Sequence, residues 1–210
     1  MNLIGAKNIE TDRLLLMIPT MKEQYDLWNI LRKENVNRWY MPTPDRFNGD
    51  RNAFQIALND WNKQEKFYQM KIDSLNDNSN MFTWSIFLKD GTIIGQMTVQ
   101  PKKEFPNNPE IRDVGWFINP KYQGQGYAYE AASAILDYMF YEVEIEKIQT
   151  SAAQVNNGSW GLMEKLGFER TGEKISTYLD ENNEYLKSYT YELNCEKYLT
   201  NKKDSKKIAK

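Results

Sequence analysis

The stretch from 82 to 100, FTWSIFLKDGTIIGQMTVQ, sets two runs of β-branched and aromatic residues on either side of Lys-Asp-Gly-Thr. Asp-Gly between two such runs is a strong local turn signal, and the segment reads as a β-hairpin. Upstream, NIETDRLLLMIP places Leu14 and Leu16 on one side of an extended chain, which predicts a first strand ended by Pro19. The period then changes. Tyr25, Trp28 and Leu31 recur at helical spacing behind Thr20, and Glu23 completes a capping-box pattern with that threonine. RNAFQIALNDWNKQEK predicts a second helix with Phe54, Leu58 and Trp61 on one face.

IRDVGWFI reads as a strand, and a long helix from Gly126 to Val143 carries Ala131, Ala132, Ile135, Leu136, Met139 and Val143 on one broad stripe. KIQTSA follows as a short strand. A strand, a helix and a second strand predict a parallel pair, since parallel neighbours need a crossover. A short helix from Ser159 to Leu166 is closed by Gly167, with Phe168 set to fold back on Met163 as in a Schellman motif. FERTGEK and KSYTYELN are the last two strands, joined through DENNEY, while SLNDNSN and KKEFPNNPE read as surface loops. The fold class implied is mixed α/β, in a single domain over residues 1–198. The lysine-rich end, 199–210, has almost nothing to bury and is expected to be disordered.

Composition narrows the chemistry. The chain of 210 residues suits one well-cored domain, and its apolar runs are too short to span a bilayer, so no membrane partner is expected. MNLIGAKNIETDRLLLM has a charge in every apolar stretch and no small-residue cleavage site, unlike a secretory signal. A net charge of −2 gives no general basic field for nucleic acid. Cys195 is the only cysteine, so no intrachain disulfide forms and a cytoplasmic home is expected. There are no histidines, which removes a histidine base, Ser-His and Cys-His nucleophile pairs, and the commonest metal ligand. Proton transfer here must use carboxylates, hydroxyls, amines or water, and no metal site is expected.

NPKYQGQGYAYEAASAIL, from 119 to 136, is the segment with the strongest chemical content. Two glycines one residue apart precede the long helix, where backbone N–H groups are unsatisfied and the peptide dipole is positive. A loop bare of Cβ atoms there suits a phosphate or pyrophosphate. A P-loop would need Gly-Lys-Ser/Thr, and Gly126 is followed by Tyr127 and Ala128. A dinucleotide fingerprint would need a small residue at 129, which is Tyr129. The stretch fits Gln/Arg-x-x-Gly-x-Gly/Ala, read as Gln123, Gly126 and Ala128.

VGWFINPKYQGQGYAYEAASAILDYMF followed by NNGSWGLMEKLGF resembles the GNAT superfamily of N-acetyltransferases, closest to the ribosomal-protein alanine acetyltransferase branch. IETDRLLL and NRWYMP are also similar to that branch, so the resemblance covers residues 9 to 195. It implies the GNAT fold, a mostly antiparallel sheet with one splayed parallel strand pair, and acetyl-CoA as co-substrate. It also implies transfer of acetyl to a primary amine, on a protein N-terminus or a small molecule, by direct attack in a monomer or homodimer. By resemblance VGWFI offers its backbone to the pantetheine arm at Phe117 and Ile118. Gln123, Gly124, Gln125, Gly126, Tyr127 and Ala128 surround the pyrophosphate, with Gln123 where many relatives carry arginine. Asn156 and Ser159 match the family's Asn-x-x-Ser pair, although both are also natural helix caps. Met163 stands where many relatives have a proton-donating tyrosine, so Ser159 or water is the acid, with Tyr127 and Tyr129 as weaker candidates. Asp113 or Glu110 is the base, acting through water, and Trp39, Tyr40 and Met41 are expected on the acceptor side. The rival is a non-catalytic acyl-CoA sensor on the same fold.

Overall fold

The computed structural model describes residues 5–40, 47–76, 81–105, 108–179 and 184–208. Eight strands make one sheet: β1 (Ile9–Glu10), β2 (Leu14–Met17), β3 (Phe82–Leu88), β4 (Ile93–Pro101), β5 (Ile111–Ile118), β6 (Lys147–Ala153), β7 (Glu169–Leu179) and β8 (Tyr185–Asn194). Their order across the sheet is β1-β2-β3-β4-β5-β6-β8-β7, and only β5 and β6 run parallel. The helices are α1 (Gln24–Leu31), α2 (Glu34–Tyr40), α3 (Arg51–Leu58), α4 (Trp61–Asn76), α5 (Tyr127–Tyr141), α6 (Asn157–Lys165) and α7 (Cys195–Ile208). The mixed α/β class and the splayed parallel pair agree with the sequence reading. Among the described residues no helix is long and apolar enough to cross a membrane.

Period-two alternation sorts the strands' side chains into two cores. Leu14, Leu16, Trp84, Ile86, Met97, Val99 and Ile118 pack with Ile135 and Met139 of α5 in the main core. Phe117, one residue from Ile118, points the other way and joins Leu27, Ile30, Leu31 and Val36 of α1 and α2. β5 is therefore gripped on both faces, which fixes its position.

The Asp-Gly hairpin closes as a turn in which the Gly91 N–H donates to the Leu88 carbonyl at 3.0 Å, with Gly91 left-handed at φ +87°. The capping box forms as expected. Thr20 accepts the Lys22 N–H, and Glu23 accepts the Thr20 N–H at 2.6 Å. The Schellman close after α6 is also present: Phe168 N–H donates to Met163 O at 3.0 Å and Gly167 N–H to Glu164 O at 3.0 Å.

Five elements differ from the reading by pattern: α2 forms where no helix is expected, α4 runs to Asn76 into the expected loop SLNDNSN, and three more differ for reasons visible in their contacts. NIETDRLLLMIP is a miniature hairpin of two strands, because the Thr11 N–H meets the Leu14 carbonyl at 3.0 Å and the Thr11 hydroxyl accepts the Leu14 N–H. The second helix is two, since the Trp28 indole takes the Leu58 carbonyl at 2.7 Å just where α3 ends. α7 runs through most of 199–210, the end expected to be disordered, and across position 198. Its start is held to α5 by buried Tyr198, which donates to Asp137 at 2.9 Å and packs on Phe140, and by Lys202 on the same carboxylate at 2.9 Å. Met41, Pro42, and the loop positions 77–80, 106–107 and 180–183 lie outside the described residues.

Candidate active site

The parallel ladder is two residues long. Ile111 pairs with Lys147 and Arg112 with Ile148, and there it stops. β5 stays bound to β4 as far as Ile118, while β6 stays bound to β8 through Ala153. Each strand follows its own antiparallel partner, so the two diverge. At the fork the Thr150 hydroxyl bridges to the Val114 carbonyl at 3.1 Å. Beyond it, the β5 main chain faces a cleft with no strand opposite, and its polar groups can serve an extended, amide-bearing ligand. Phe117 and Ile118 have buried side chains, so what they offer the cleft is backbone.

The cleft leads to the start of α5. Asn119 caps a short 3-10 turn over Pro120–Tyr122, and the Gln123 side chain donates to the Ile118 carbonyl at 2.9 Å, tying the turn to β5. Gly124 and Gly126 are left-handed, with φ +74° and φ +82°, a conformation that suits glycine. Gly126 is the N-cap of α5, and no side chain caps the helix there. Open space lies where Cβ atoms on Gly124, Gly158 and Gly161 would stand. Gly161, a costly residue inside a short helix, thus has room beside a cleft, with no strand pressing on it. An uncapped helix start, a bare turn and this open flank fit a diphosphate and its linked chain.

Two cavities, each about 710 Å³, meet in this region. The inner one takes in Phe117, Ile118, Gln123, Gly124, Gly126, Tyr127, Ala128, Asn156 and Ser159, nine of the ten residues expected to hold cofactor. Gln125 is outside its wall, with its carbonyl accepting from Arg13 at 3.0 Å. Asn156 makes no side-chain capping bond to α6, which leaves its amide for the cleft. The outer cavity takes in Asp113, Thr98, Thr150 and Met163. Trp39, Tyr40, Trp116 and Ser159 line both, and so mark the junction.

Asp113 is half-buried at the fork. Burial pushes its carboxyl above the usual aspartate range, against the pull of Lys102, Thr150, the Val114 N–H and Lys174. Glu110, the other expected base, lines neither cavity. Met163 is buried and has no proton to give.

Two further residues complete the site: Tyr40, expected on the acceptor side from the NRWYMP resemblance, and Arg13, which has no spacing signal in the sequence. Tyr40 lies against the bare face of Gly115, where a Cβ would meet its ring at 3.3 Å, and edge-on to Phe117. Burial raises its hydroxyl pKa, with Asp113 adding to the rise and a hydrogen bond to Thr98 opposing it. Arg13, remote in sequence, reaches the glycine turn. It donates to Glu130 at 2.5 Å and to the Gln125 carbonyl, and stacks over Tyr127 at 4.6 Å. Burial alone would raise the Glu130 carboxyl, but bonds from Thr11 and Arg13 outweigh it and hold it below the usual range.

Residues 13–169 match the family model of the acetyltransferase (GNAT) domain. The uncharacterized N-acetyltransferase YnaD of Bacillus subtilis is 29% identical over 184 residues, covering 88% of this chain and 95% of that protein. Among solved structures, the ribosomal-protein-S5-alanine acetyltransferase of Vibrio fischeri superposes with a TM-score of 0.71 at 17% identity, over 92% of this chain and 99% of that one. The spermidine N-acetyltransferase of Vibrio cholerae, solved with CoA and spermine, gives a TM-score of 0.72 at 18% identity, over 90% and 99%. The chain belongs to the GNAT family and is an N-acetyltransferase.

Proposed function

We propose that this N-acetyltransferase binds acetyl-CoA in the inner cavity and acetylates a primary amine presented from the outer one. The observation that carries this reading is the fork. A parallel ladder ending after Arg112 and Ile148 opens a cleft that runs directly into an uncapped, glycine-lined helix start. The fitting residues are Gln123, Gly124, Gly126, Tyr127 and Ala128 for the diphosphate, and the Phe117–Ile118 backbone with the Asn156 amide for the pantetheine arm. Acetyl-CoA held there would supply an acetyl group activated as a thioester.

Within the chain, the work left is proton transfer and positioning. An ammonium acceptor must lose a proton before it can attack. Asp113, with its pKa raised by burial, is the group that takes that proton, through water. Ser159 lies at the junction, where its hydroxyl would donate to the departing sulfur, and Tyr40 lines the same junction. Trp39 and Trp116 wall the junction. Cys195 lies at the start of α7 and lines neither cavity, so the chain has no thiol placed to form an acyl-enzyme. This supports direct attack by the amine on the thioester. The test is free-thiol release from acetyl-CoA across a panel of peptides and small amines. Amine-dependent release supports the reading, and calorimetry showing no acetyl-CoA binding at millimolar ligand would end it.

A further inference from the structure

The outer cavity has an unusual floor. Along β4, Gln96, Thr98 and Gln100 occupy alternate positions, so they share one face, and Lys102 continues the row past the strand's end. Gln96, Thr98 and Lys102 are buried. The alternate row, with Met97 and Val99, fills the main core. The Thr98 hydroxyl already meets Thr83 at 3.2 Å, so what this face offers a ligand is the amides of Gln96 and Gln100 and the Lys102 ammonium.

The charges in this cavity are also one-sided. Among the described residues lining it, four are lysines (Lys71, Lys102, Lys103 and Lys174) and two are carboxylates, Glu104 and Asp113. The chain as a whole carries a net −2, so this excess is local. Lys102 is only 8% exposed, and its ion pair with Glu104 is stretched to 3.8 Å. A lysine that buried normally has close pairing. Lys102 and Lys174 both act electrostatically on Asp113, so the cationic end of the cavity and the base are neighbours.

Resting on the proposed acetyl transfer, the geometry points to an acceptor that carries an anionic group, a carboxylate or a phosphate, in addition to its amine. Lys102 and Lys174 hold the anion at the outer end while the polar row of β4 leads the amine to Asp113. A polyamine meets the wrong sign of charge here, whatever fold it shares with the spermine-bound neighbour.

The test uses the full chain with acetyl-CoA and matched acceptors: O-phosphoethanolamine against ethanolamine, β-alanine against β-alaninamide, and spermidine. We expect the anionic member of at least one pair to have the higher kcat/KM and spermidine to be poorest. A gain confined to the first pair names phosphate, and one confined to the second names carboxylate. Charge reversal at exposed Lys174, Lys174→Glu, should cut the anionic-to-neutral kcat/KM ratio about tenfold, mainly through KM. Lys102→Gln should act in the same direction. A preference for spermidine or for the neutral members, or lysine variants that leave the ratio unchanged, would overturn the inference. Without turnover, calorimetry on the CoA-loaded protein decides. No heat from either anionic amine while CoA binds overturns this inference alone, and failure of CoA itself to bind overturns the acetyl-transfer reading beneath it.

Discussion

In the proposed mechanism Asp113 joins stability to chemistry in one carboxyl group. Its carboxyl is pushed up by burial, so the fold favours the protonated form, and that advantage is present below the unfolded aspartate pKa. It is lost as pH rises through the raised folded value, after which the ionised group is a burden. Asp113→Asn should therefore melt at or above the wild-type temperature at neutral pH, in thermal scans across pH. The same variant should lose roughly 10²- to 10⁴-fold in kcat/KM, the usual contribution of a positioned base. The acid limb of the wild-type pH–rate profile should disappear with it. Full activity in Asp113→Asn would remove the base from this account. Resemblance singles out Asp113 in the sequence, as the carboxylate ahead of Gly115-Trp116, and leaves Glu110 open beside it. Both sit near the start of one strand, and only the fork shows which one meets the cavities.

At the scale of elements, the site depends on β5 holding its line against β4 while β6 leaves it. Gly95 is the tightest point of that line: a Cβ there would lie 2.2 Å from the Phe117 carbonyl oxygen, against backbone that cannot swing away. Gly95→Ala should cost about 1–3 kcal/mol in chemical denaturation and weaken cofactor binding by displacing β5. Unchanged stability would show that the strand pair is laxer than described. The turn before α5 has its own brace in Arg13, which ties it to β2 through Glu130 and the Gln125 carbonyl. The guanidinium stands beside the turn whose Gln123 lacks the family's frequent arginine charge. Arg13→Gln should weaken CoA binding about three- to tenfold by calorimetry, the scale of a half-exposed charge-assisted bond. Equal affinity would leave Arg13 a surface ion pair. No period or motif announces this brace, because Arg13 and Gln125 are far apart in the chain and meet only through the sheet.

For the whole molecule, what pattern conveyed was the order of elements. Asp90-Gly91, the capping box at Thr20 and Glu23, and the Gly167 close are local devices whose chemistry lies within a few residues, and each formed as the sequence implies. The misreadings arose where a distant group intervened: the Trp28 indole ending α3, and Asp137 anchoring α7. The charge of the outer cavity was unreadable for the same reason, since Lys71, Lys102 and Lys174 come from separate segments that the fold gathers. Central to the account is the main-chain grip of the turn at Gly124–Gly126 on a diphosphate. Calorimetric titration of CoA, and of pantetheine, which lacks the diphosphate, into wild type and Gly126→Val tests it most directly. Valine there is strained at φ +82° and its Cβ crowds Arg13. CoA should bind wild type far more tightly than pantetheine does, and a Gly126→Val protein that still melts cooperatively should lose that difference. CoA affinity equal in the two proteins, or equal for CoA and pantetheine in wild type, would contradict the account.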